Sequence, residues 1–291
     1  MQTLREIIAE FKNSHKALGH FNFSDSNQLK AIASAAKECN LPVVVGLSEG
    51  ERGYFPLRDA RALVDLYRAQ GIQIYLNADH TYSVEKVEQA IADGVDSVVV
   101  DGAKLPFEKN VALLKECKAL ALRSLGEVGS GRDVLVEGEL GYIGTSSSVM
   151  DTLPEGVAIT EEMMTKPEEA AAFVQQTGID LFAPAVGNIH GIVKSGQPKL
   201  SIVRIAQLAG AVSVPLVLHG GSGSSDEEFV QAIKAGIVMI HINTDLRVLY
   251  RDSLKATLDT TQETTPYKFL APSVAAMQAF VAQKIKLLAG I

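Results

Sequence analysis

The chain has 291 residues, of which 47% are hydrophobic, and a formal net charge of −7. This composition predicts a globular protein with a sizeable core and excludes a disordered chain. The acidic balance and the lack of any lysine or arginine run argue against a nucleic-acid partner. No apolar stretch reaches the length of a membrane span, so we expect no membrane partner either.

The first residues and the two cysteines indicate the compartment. Residues 1–6 lack the long apolar core and the small-residue cleavage site of a signal peptide, and we expect them to begin a helix. Cys39 and Cys117 fall in predicted helices and are expected to be reduced, buried thiols. The sequence therefore predicts a cytoplasmic protein.

Short apolar runs alternate with amphipathic segments in eight successive pairs. The predicted strands are 17–23, 42–47, 73–78, 97–100, 134–140, 181–186, 214–218 and 237–242. The helical segments between them include 27–39, 58–70 and 84–93. This alternation predicts parallel strands joined by right-handed crossovers. Eight such units in about 250 residues are typical of a closed (β/α)8 TIM barrel, an α/β fold.

Three further features refine this fold. A doubly wound open sheet is the alternative, but it favours Gly-x-Gly-x-x-Gly after the first strand, where this chain has the helix-capping cluster Asn22-Phe23-Ser24-Asp25-Ser26. Residues 141–160 are long, polar and rich in small residues, which predicts a functional loop. Residues 273–288 predict an extra C-terminal helix after the eighth unit. No linker is visible, so we expect residues 1–291 to form a single domain.

Histidines follow three of the predicted strands. The third strand ends in Asp79-His80, the sixth runs into His190, and the seventh runs into His219. The C-terminal ends of barrel strands meet at the rim where active sites lie, and a catalytic zinc ion takes three protein ligands. A lone histidine at a strand end is usually structural, but three at one rim favour a metal site. His15, in a charged loop, is instead expected at the surface, and His20 in the first strand fits core packing at least as well as a site.

Several acids are predicted at the same rim. Asp79 either caps the next turn or exchanges protons near the metal. Asp101 follows the fourth strand, and Glu137 and Glu139 share one face of the fifth. Charged groups inside a barrel are costly unless they are paired or bind a metal. These acids therefore suggest a second cation position or hydrogen-bonding partners for the metal ligands.

A glycine-rich turn suggests phosphate binding. Gly220-Gly221-Ser222-Gly223 precedes a helix predicted to begin near residues 225–227, and backbone N–H groups at such a place bind anions. The loops after the seventh and eighth strands often bind phosphate in such barrels. Thr244 and Asp245, or Gly191 and Lys194, could complete the site. A glycine-rich turn by itself is common.

In their order along the chain, these motifs resemble the class II (metal-dependent) fructose-bisphosphate and tagatose-bisphosphate aldolases. The resemblance covers nearly the whole chain. It is carried by Phe21-Asn22, Leu47-Ser48, Asp79-His80, Asp101-Gly102, Leu105-Pro106-Phe107, Glu137-Gly138-Glu139-Leu140-Gly141, Gly187-Asn188-Ile189-His190-Gly191, Leu218-His219-Gly220-Gly221-Ser222-Gly223 and Asn243-Thr244-Asp245-Leu246-Arg247.

The resemblance implies a role for each matching residue. His80, His190 and His219 would hold a catalytic Zn2+, and Asp101 and Glu139 would form a second cation position or hold the zinc in an alternative pose. Asp79 would exchange a proton with the aldehyde oxygen. The phosphate of dihydroxyacetone phosphate would be bound by Gly191, Gly220, Gly221, Ser222 and Thr244. Asn22 and Ser48 would contact the substrate.

The sequence departs from the family at two places. Members commonly have asparagine at the position of His241, where it contacts the ketose phosphate. Either Asn243, on the same strand face, replaces it, or His241 approaches the site itself. The loop 144–160 lacks the usual second glycine and acidic cluster. Its mobile catalytic base is a glutamate in the family, and Glu155 is the candidate here.

The resemblance thus implies a zinc-dependent lyase of carbohydrate metabolism, in glycolysis if it converts fructose 1,6-bisphosphate to dihydroxyacetone phosphate and glyceraldehyde 3-phosphate. Tagatose bisphosphate and other ketose phosphates stay open. The eight apolar runs contain no internal lysine, which favours metal over imine chemistry. A metal-dependent hydrolase and a non-catalytic sugar-phosphate sensor are the alternatives from other classes. We expect a homo-oligomer, either a dimer or a tetramer.

Overall fold

Eight parallel strands close into a barrel. The computed structural model describes residues 1–126, 131–144, 147–153, 155–157 and 159–291. The strands are β1 (Leu18–Asn22), β2 (Val43–Leu47), β3 (Ile74–Thr81), β4 (Ser97–Val100), β5 (Leu135–Leu140), β6 (Leu181–Pro184), β7 (Leu216–Leu218) and β8 (Ile237–Ile242). They pair in the order β1-β8-β7-β6-β5-β4-β3-β2 around the ring. The (β/α)8 prediction is confirmed, and the open-sheet alternative is wrong.

Helices surround the barrel. They are α1 (Leu4–Asn13), α2 (Ser26–Cys39), α3 (Glu49–Tyr54), α4 (Leu57–Ala69), α5 (Val84–Ala92), α6 (Phe107–Gly126), α7 (Pro167–Thr177), α8 (Ile202–Ala211), α9 (Asp226–Ala235), α10 (Thr244–Thr260), α11 (Pro266–Phe269) and α12 (Ala271–Ala289). The extra C-terminal helix α12 packs on α2 and α10. Among the described residues, no helix combines the length and apolar character needed to cross a membrane. That residues 1–291 form one domain stays a prediction.

The observed bounds of β3 and β7 differ from the predicted ones, and one short strand was not predicted. β3 continues through Asp79 and His80 to Thr81, beyond the apolar run that ends at residue 78. β7 begins at Leu216 rather than at residue 214, because Pro215 has no N–H to donate to a neighbouring strand. The loop 141–160 also contains a short strand, Val149–Met150, which pairs with Ile192–Val193. Two-residue strands are too short to produce a periodic pattern.

Helix α1 closes the lower end of the barrel, where the strands begin. Thr3 caps the helix, and its side chain and that of Glu6 form a capping box. The apolar residues of α1 recur at helical spacing and form one buried face. This face packs on the first residues of the strands in one cluster that includes Leu4, Ile7, Ile8, Phe11, Leu18, Val44, Tyr75, Leu135 and Leu181. The lower end is therefore filled by hydrocarbon.

The upper end, where the strands finish, is polar inside. Buried polar side chains of the strands and strand ends include His20, Asn77, Ser97, Glu137, His219 and His241. His20 lies so close to β2 that a Cβ added to Gly46 would come within 2.3 Å of the imidazole ring. Glycine at position 46 thus makes room for a buried histidine that leads up to the site.

Candidate active site at the upper end of the barrel

The end of β3 brings two adjacent residues into one site. Successive side chains of a regular strand point to opposite faces. Here His80 has a left-handed backbone, with φ of 42°, and the register with β4 shifts between Ala78 and Thr81. As a result, the side chains of Asp79 and His80 both line the same cavity, with His80 Nε2 3.8 Å from Asp79 Oδ1.

The three predicted metal-binding histidines come together. Ligand atoms of His80, His190, His219 and Glu139 all lie within 4.8 Å of one another. The ring centroids are 4.7 Å apart for His80 and His190, 5.2 Å for His80 and His219, and 5.7 Å for His190 and His219. His219 is fully buried, and His190 is 8% exposed. This set of imidazole and carboxylate donors matches the ligands that zinc takes in proteins.

Carboxylates orient two of these imidazoles. His219 Nε2 lies 2.5 Å from Glu137 Oε1, and His80 Nδ1 lies 3.0 Å from Asp101 Oδ2. A carboxylate on one ring nitrogen is the usual support of a metal-binding histidine. The other nitrogen of His219, Nδ1, lies 2.8 Å from Glu139 Oε1 but is not aligned with it as a hydrogen bond. Within the described part of the chain, those two atoms and His190 Nε2 are buried without a hydrogen-bond partner, as expected for atoms that bind a cation.

The electrostatics of the cluster are dominated by these pairs. Burial alone would lower the pKa of His80, but Asp79 and Glu139 outweigh it and raise the pKa to about 9. Burial is likewise outweighed at His219, where Glu139 and Glu137 raise the pKa well above its ordinary value. Burial and the positive charges of His80 and His219 lower the pKa of His190. The carboxylates thus favour positive charge in this cluster, which a proton or a metal ion can supply.

Asp79 is held ionised beside the cluster. Its Oδ2 accepts a hydrogen bond from Asn22 Nδ2 at 2.8 Å, and its Oδ1 lies 3.5 Å from His241 Nδ1. Burial would raise the pKa of Asp79, but the charge of His80 and the neighbouring His241 imidazole hold it well below the ordinary value. A buried carboxylate that stays charged, with a hydrogen-bond donor on one oxygen and the other oxygen left without a hydrogen bond, is suited to exchange protons with a ligand.

His241 lies in the centre of a stack of three imidazoles. Its ring is 3.6 Å from that of His20, with 6° between the planes, and 4.1 Å from that of His219. His20 Nε2 in turn lies 3.2 Å from Asn77 Oδ1. Burial lowers the pKa of both His20 and His241. His241 therefore approaches the site itself, and His20, its neighbour on β1, stacks against it.

A small inner cavity collects most of the residues predicted to bind substrate. It is lined by Asn22, Asp79, His80, Ser147, His190, Gly191, Gly220, Ser222, His241, Asn243 and Thr244. Gly220 has φ of +63°, and a Cβ there would lie 2.0 Å from the carbonyl oxygen of Ile189. Ser222 Oγ accepts hydrogen bonds from the backbone N–H groups of Asn243 and Asp245. The glycine-rich turn is thus fixed in place beside the histidines.

Two predicted phosphate ligands lie differently. The backbone N–H of Gly221 donates to the carbonyl of His241 at 2.9 Å, so it is already engaged. Lys194 Nζ is 2.7 Å from Asp151 in an exposed ion pair, and Lys194 does not line the inner cavity formed by the described residues. The structure therefore brings Gly191, Gly220, Ser222 and Thr244 together, but not these two.

An outer cavity of about 230 Å³ adjoins the inner one. Ser48 lines it, as predicted, together with Arg247. Arg247 Nη2 is 2.5 Å from Glu51 Oε1, and Nη1 donates to the carbonyl of Ser147 at 3.2 Å. Glu51 Oε2 also accepts hydrogen bonds from Asn22 and from Ser48. Sequence reasoning gave no role to Glu51 or Arg247, because charged residues in the first turn of a helix resemble a solvated face.

The loop residue Glu155 lies away from both cavities. It is exposed in a turn, and residues 154 and 158 on either side are outside the described part of the chain. Val157 of the same loop packs on Ile189 and Val193. Ser147, also in this loop, lines both cavities instead. The assignment of Glu155 as a base stays a prediction.

A larger cavity, of about 600 Å³, lies at the lower end of the barrel. Its described lining contains Lys37 and Arg68 but no histidine, cysteine or acid. Buried histidines and acids with strongly shifted pKa values come together at the upper rim, which is the better candidate for chemistry.

Together, the barrel and its rim define a class of protein, namely a (β/α)8 enzyme with a candidate metal centre beside an anion-binding turn. The family model described as "Fructose-bisphosphate aldolase class-II" matches residues 2–290. The chain belongs to this metal-dependent family, and it is an aldolase, a carbon–carbon lyase. The resemblance read from the motifs is confirmed, and it sets aside the hydrolase and the non-catalytic sensor.

Individual relatives agree with this assignment. The chain is 32% identical to a fructose-bisphosphate aldolase of Staphylococcus aureus (strain Mu50 / ATCC 700699), over 98% of this chain and 96% of the relative. It is 31% identical to a fructose-bisphosphate aldolase of Geobacillus stearothermophilus, over 98% and 95%. Among solved structures, the YdjI aldolase from Escherichia coli K12 matches with a TM-score of 0.82 and 30% identity, over 98% of this chain and 96% of that one.

Proposed function

We propose that this aldolase reversibly cleaves a ketose 1,6-bisphosphate, with fructose 1,6-bisphosphate as the first candidate, to dihydroxyacetone phosphate and glyceraldehyde 3-phosphate. The observation that carries the proposal is the convergence of His80, His190 and His219 beside Asp79 at the upper rim. The relatives named fructose-bisphosphate aldolase support the choice of substrate. Tagatose 1,6-bisphosphate and other ketose phosphates are the second candidates, because His241 stands where the family commonly has asparagine.

The proposed cofactor is Zn2+, held by His80, His190 and His219. Asp101 and Glu139 would form a second cation position or hold the zinc in an alternative pose. The donor set and the buried atoms without partners support this assignment. When bound, the metal ion supplies Lewis-acid stabilisation of the negative charge that develops on the sugar oxygens, worth several kcal/mol.

Asp79 is the proposed acid–base group. In cleavage, its carboxylate accepts the proton of the C4 hydroxyl as the C3–C4 bond breaks and that oxygen becomes the aldehyde. In condensation, Asp79 returns the proton to the aldehyde oxygen. The lowered pKa keeps Asp79 in the basic form that cleavage requires. Asn22 and His241, which contact its two oxygens, would hold the carboxylate toward the substrate.

The remaining assignments concern substrate binding and the second proton transfer. Backbone groups of Gly191, Gly220 and Gly221 and the side chains of Ser222 and Thr244 would bind the phosphate of dihydroxyacetone phosphate. Lys194 would join them only by leaving Asp151. Ser48 and Asn243 would contact the sugar. Glu155 would exchange the proton at C3, which requires its loop to bring it to the cavity.

A coupled assay for dihydroxyacetone phosphate tests this proposal. Purified enzyme is assayed on fructose 1,6-bisphosphate, tagatose 1,6-bisphosphate and fructose 1-phosphate, before and after chelation and after Zn2+ is restored. We expect chelation to abolish activity and zinc to restore it, and we expect borohydride with substrate to leave the enzyme active. Full activity after stringent metal removal would refute the metal-dependent mechanism.

The pathway, the compartment and the assembly are proposed from the same assignment as an aldolase. An aldolase of this kind would act in carbohydrate metabolism, in glycolysis if fructose 1,6-bisphosphate is the substrate, and in the cytoplasm. A homo-oligomer, either a dimer or a tetramer, is the expected assembly. Light scattering with in-line chromatography measures the assembly directly.

A further inference from the structure

The strained end of β3 leaves backbone carbonyls that need partners. His80 adopts φ of 42°, a left-handed conformation that is strained for an L-residue. The register shift between Ala78 and Thr81 interrupts the regular pairing of β3 with β4 at Asp79 and His80. Without this distortion, Asp79 and His80 would point to opposite faces, and only one of them could reach the site.

One guanidinium group binds this distorted segment. Arg52 Nη1 donates to the carbonyls of Leu47 at 2.8 Å and of Asp79 at 3.0 Å. Arg52 Nη2 donates to the carbonyl of His80 at 3.4 Å and to Thr81 Oγ1 at 3.2 Å. The planar fork of arginine therefore joins the end of β2 to three consecutive residues of β3, where strand pairing is interrupted.

The surroundings of Arg52 indicate that its positive charge serves to hold the backbone at the end of β3. Its side chain is only 13% exposed, and its nearest carboxylate in an ion pair, Glu49, is 3.9 Å away. A buried cation is costly, and Arg52 is bonded mainly to neutral carbonyl oxygens. Hydrogen bonds in which one group is charged are stronger than those between neutral groups, so the four contacts of Arg52 offset the strain at His80. Arg52 lines neither the inner nor the outer cavity as described, so it acts from behind the strand.

We propose that Arg52 is a positioning residue for the aldol reaction, which fixes the distorted end of β3 so that Asp79 and His80 both face the substrate. The inference rests on the proposed roles of Asp79 as acid–base group and His80 as metal ligand. Loss of Arg52 lets the segment relax toward a regular strand, which moves His80 away from the other ligands. Metal affinity and turnover then fall together, while the phosphate-binding turn on the other side of the barrel stays intact.

A merely structural arginine would behave differently, and Arg61 provides the matched control. Arg61 is also buried, with a side chain 7% exposed, and it bonds Asp65, Asp96 and the carbonyl of Gly94 near the lower end of β3 and β4. Arg61→Met therefore removes a second buried guanidinium, one that bonds residues just before β4, without touching the site. The stability lost in Arg61→Met shows how much each readout changes through unfolding alone.

The experiment compares Arg52→Met with Arg61→Met as holoenzymes. The readouts are the Zn2+ dissociation constant from competition with a chromophoric chelator, the visible spectrum of the Co2+-substituted protein, and kcat and KM for the ketose bisphosphate. We expect Arg52→Met to lose about 10–100-fold in metal affinity and in kcat, to alter the Co2+ spectrum, and to change KM little. Arg61→Met is expected to keep the wild-type values per folded molecule.

Wild-type metal affinity, Co2+ spectrum and kcat in folded Arg52→Met would overturn the proposal. If Arg52→Met fails to fold, Arg52→Lys tests the proposal instead. Lysine keeps the positive charge, but its single ammonium group cannot bond all four acceptors at once. Lowered metal affinity and kcat in Arg52→Lys support the proposal, and wild-type values overturn it. If the wild-type protein itself binds no metal, the proposed function fails rather than the role of Arg52.

Discussion

The two ends of the barrel interior differ in polarity: one is lined by apolar side chains and the other by ionisable side chains. The lower end is filled by apolar side chains of α1 and of the first residues of the strands. The upper end contains buried His190, His219 and His241, the half-buried His80, and buried acids. Apolar burial contributes about 25 cal/mol per Å² to stability, whereas buried ionisable groups are costly until they are paired or bind a cation. The lower end therefore contributes stability and the upper end contributes chemistry, and substitutions should separate the two effects.

The largest effect is expected for His219→Ala at the upper end. We expect loss of bound metal and a fall in kcat of at least about 10³-fold, because Lewis-acid stabilisation is worth several kcal/mol and each ~1.4 kcal/mol is tenfold in rate. Metal content and release of dihydroxyacetone phosphate measure the two losses. His15→Ala, which changes an exposed histidine, is the control and should retain both. A His219→Ala protein with full metal content would show that another group completes the site.

Asp79→Asn is expected to separate proton transfer from metal binding. The amide has nearly the same shape but cannot accept the proton, so kcat should fall about 10²–10⁴-fold. Metal content should stay at the wild-type level, because Asp79 is not among the proposed ligands. Exchange of the C3 hydrogen of dihydroxyacetone phosphate with solvent should survive better than carbon–carbon cleavage. Equal loss of exchange and cleavage would contradict a role confined to the aldehyde oxygen.

At the lower end, Ile7→Ala should reduce stability without changing chemistry. Ile7 is 2% exposed in the apolar cluster of α1, and truncating such a residue costs about 2–5 kcal/mol. Denaturant unfolding measures the loss, and kcat per folded molecule should equal that of the wild type. Leu66→Ala, at a residue 60% exposed on α4, should change stability by no more than about 0.5 kcal/mol. A lowered kcat in folded Ile7→Ala would show that the two ends are coupled.

His241→Asn restores the residue common in the family and should act on substrate choice. It removes the imidazole between His20 and His219 but keeps a side chain able to donate a hydrogen bond. One hydrogen bond is worth about 1 kcal/mol, so we expect a change of up to roughly tenfold in the kcat/KM ratio for fructose and tagatose bisphosphates. Competition between the two sugars measures this ratio directly. An unchanged kcat/KM ratio would show that His241 contributes packing and does not affect substrate choice.

The difference between the two ends also explains what the sequence could predict. Period and composition are sufficient for the lower end and the strand order, because α1 repeats its apolar residues at helical spacing. The three histidines were predictable because each lies one to four residues after the end of an apolar run. Glu51 and Arg52 were not, because their contacts depend on how α3 approaches the end of β3. The backbone distortion at His80 has no sequence signal either, since left-handed residues are usually glycine or asparagine.

The smallest effect is expected for Arg5→Met, which removes the ion pairs of Arg5 with Asp133 and Asp180 at the rim of the lower end. Arg5 Nε is 2.6 Å from Asp133 Oδ2, and this contact lowers the pKa of Asp133 below its ordinary value. The Arg5 side chain is 49% exposed and that of Asp133 is 25% exposed, so their pair should contribute only about 0.2–1 kcal/mol at pH 7. Because the pKa is lowered on folding, this stability is present above the unfolded value of about 3.9 and is lost as the pH falls below it. The difference in unfolding free energy between wild type and Arg5→Met should therefore shrink between pH 5 and pH 3, and Asp133→Asn should abolish that pH dependence. A difference that stays constant over this range would show that Arg5 stabilises the lower end by the packing of its aliphatic stem and not by charge.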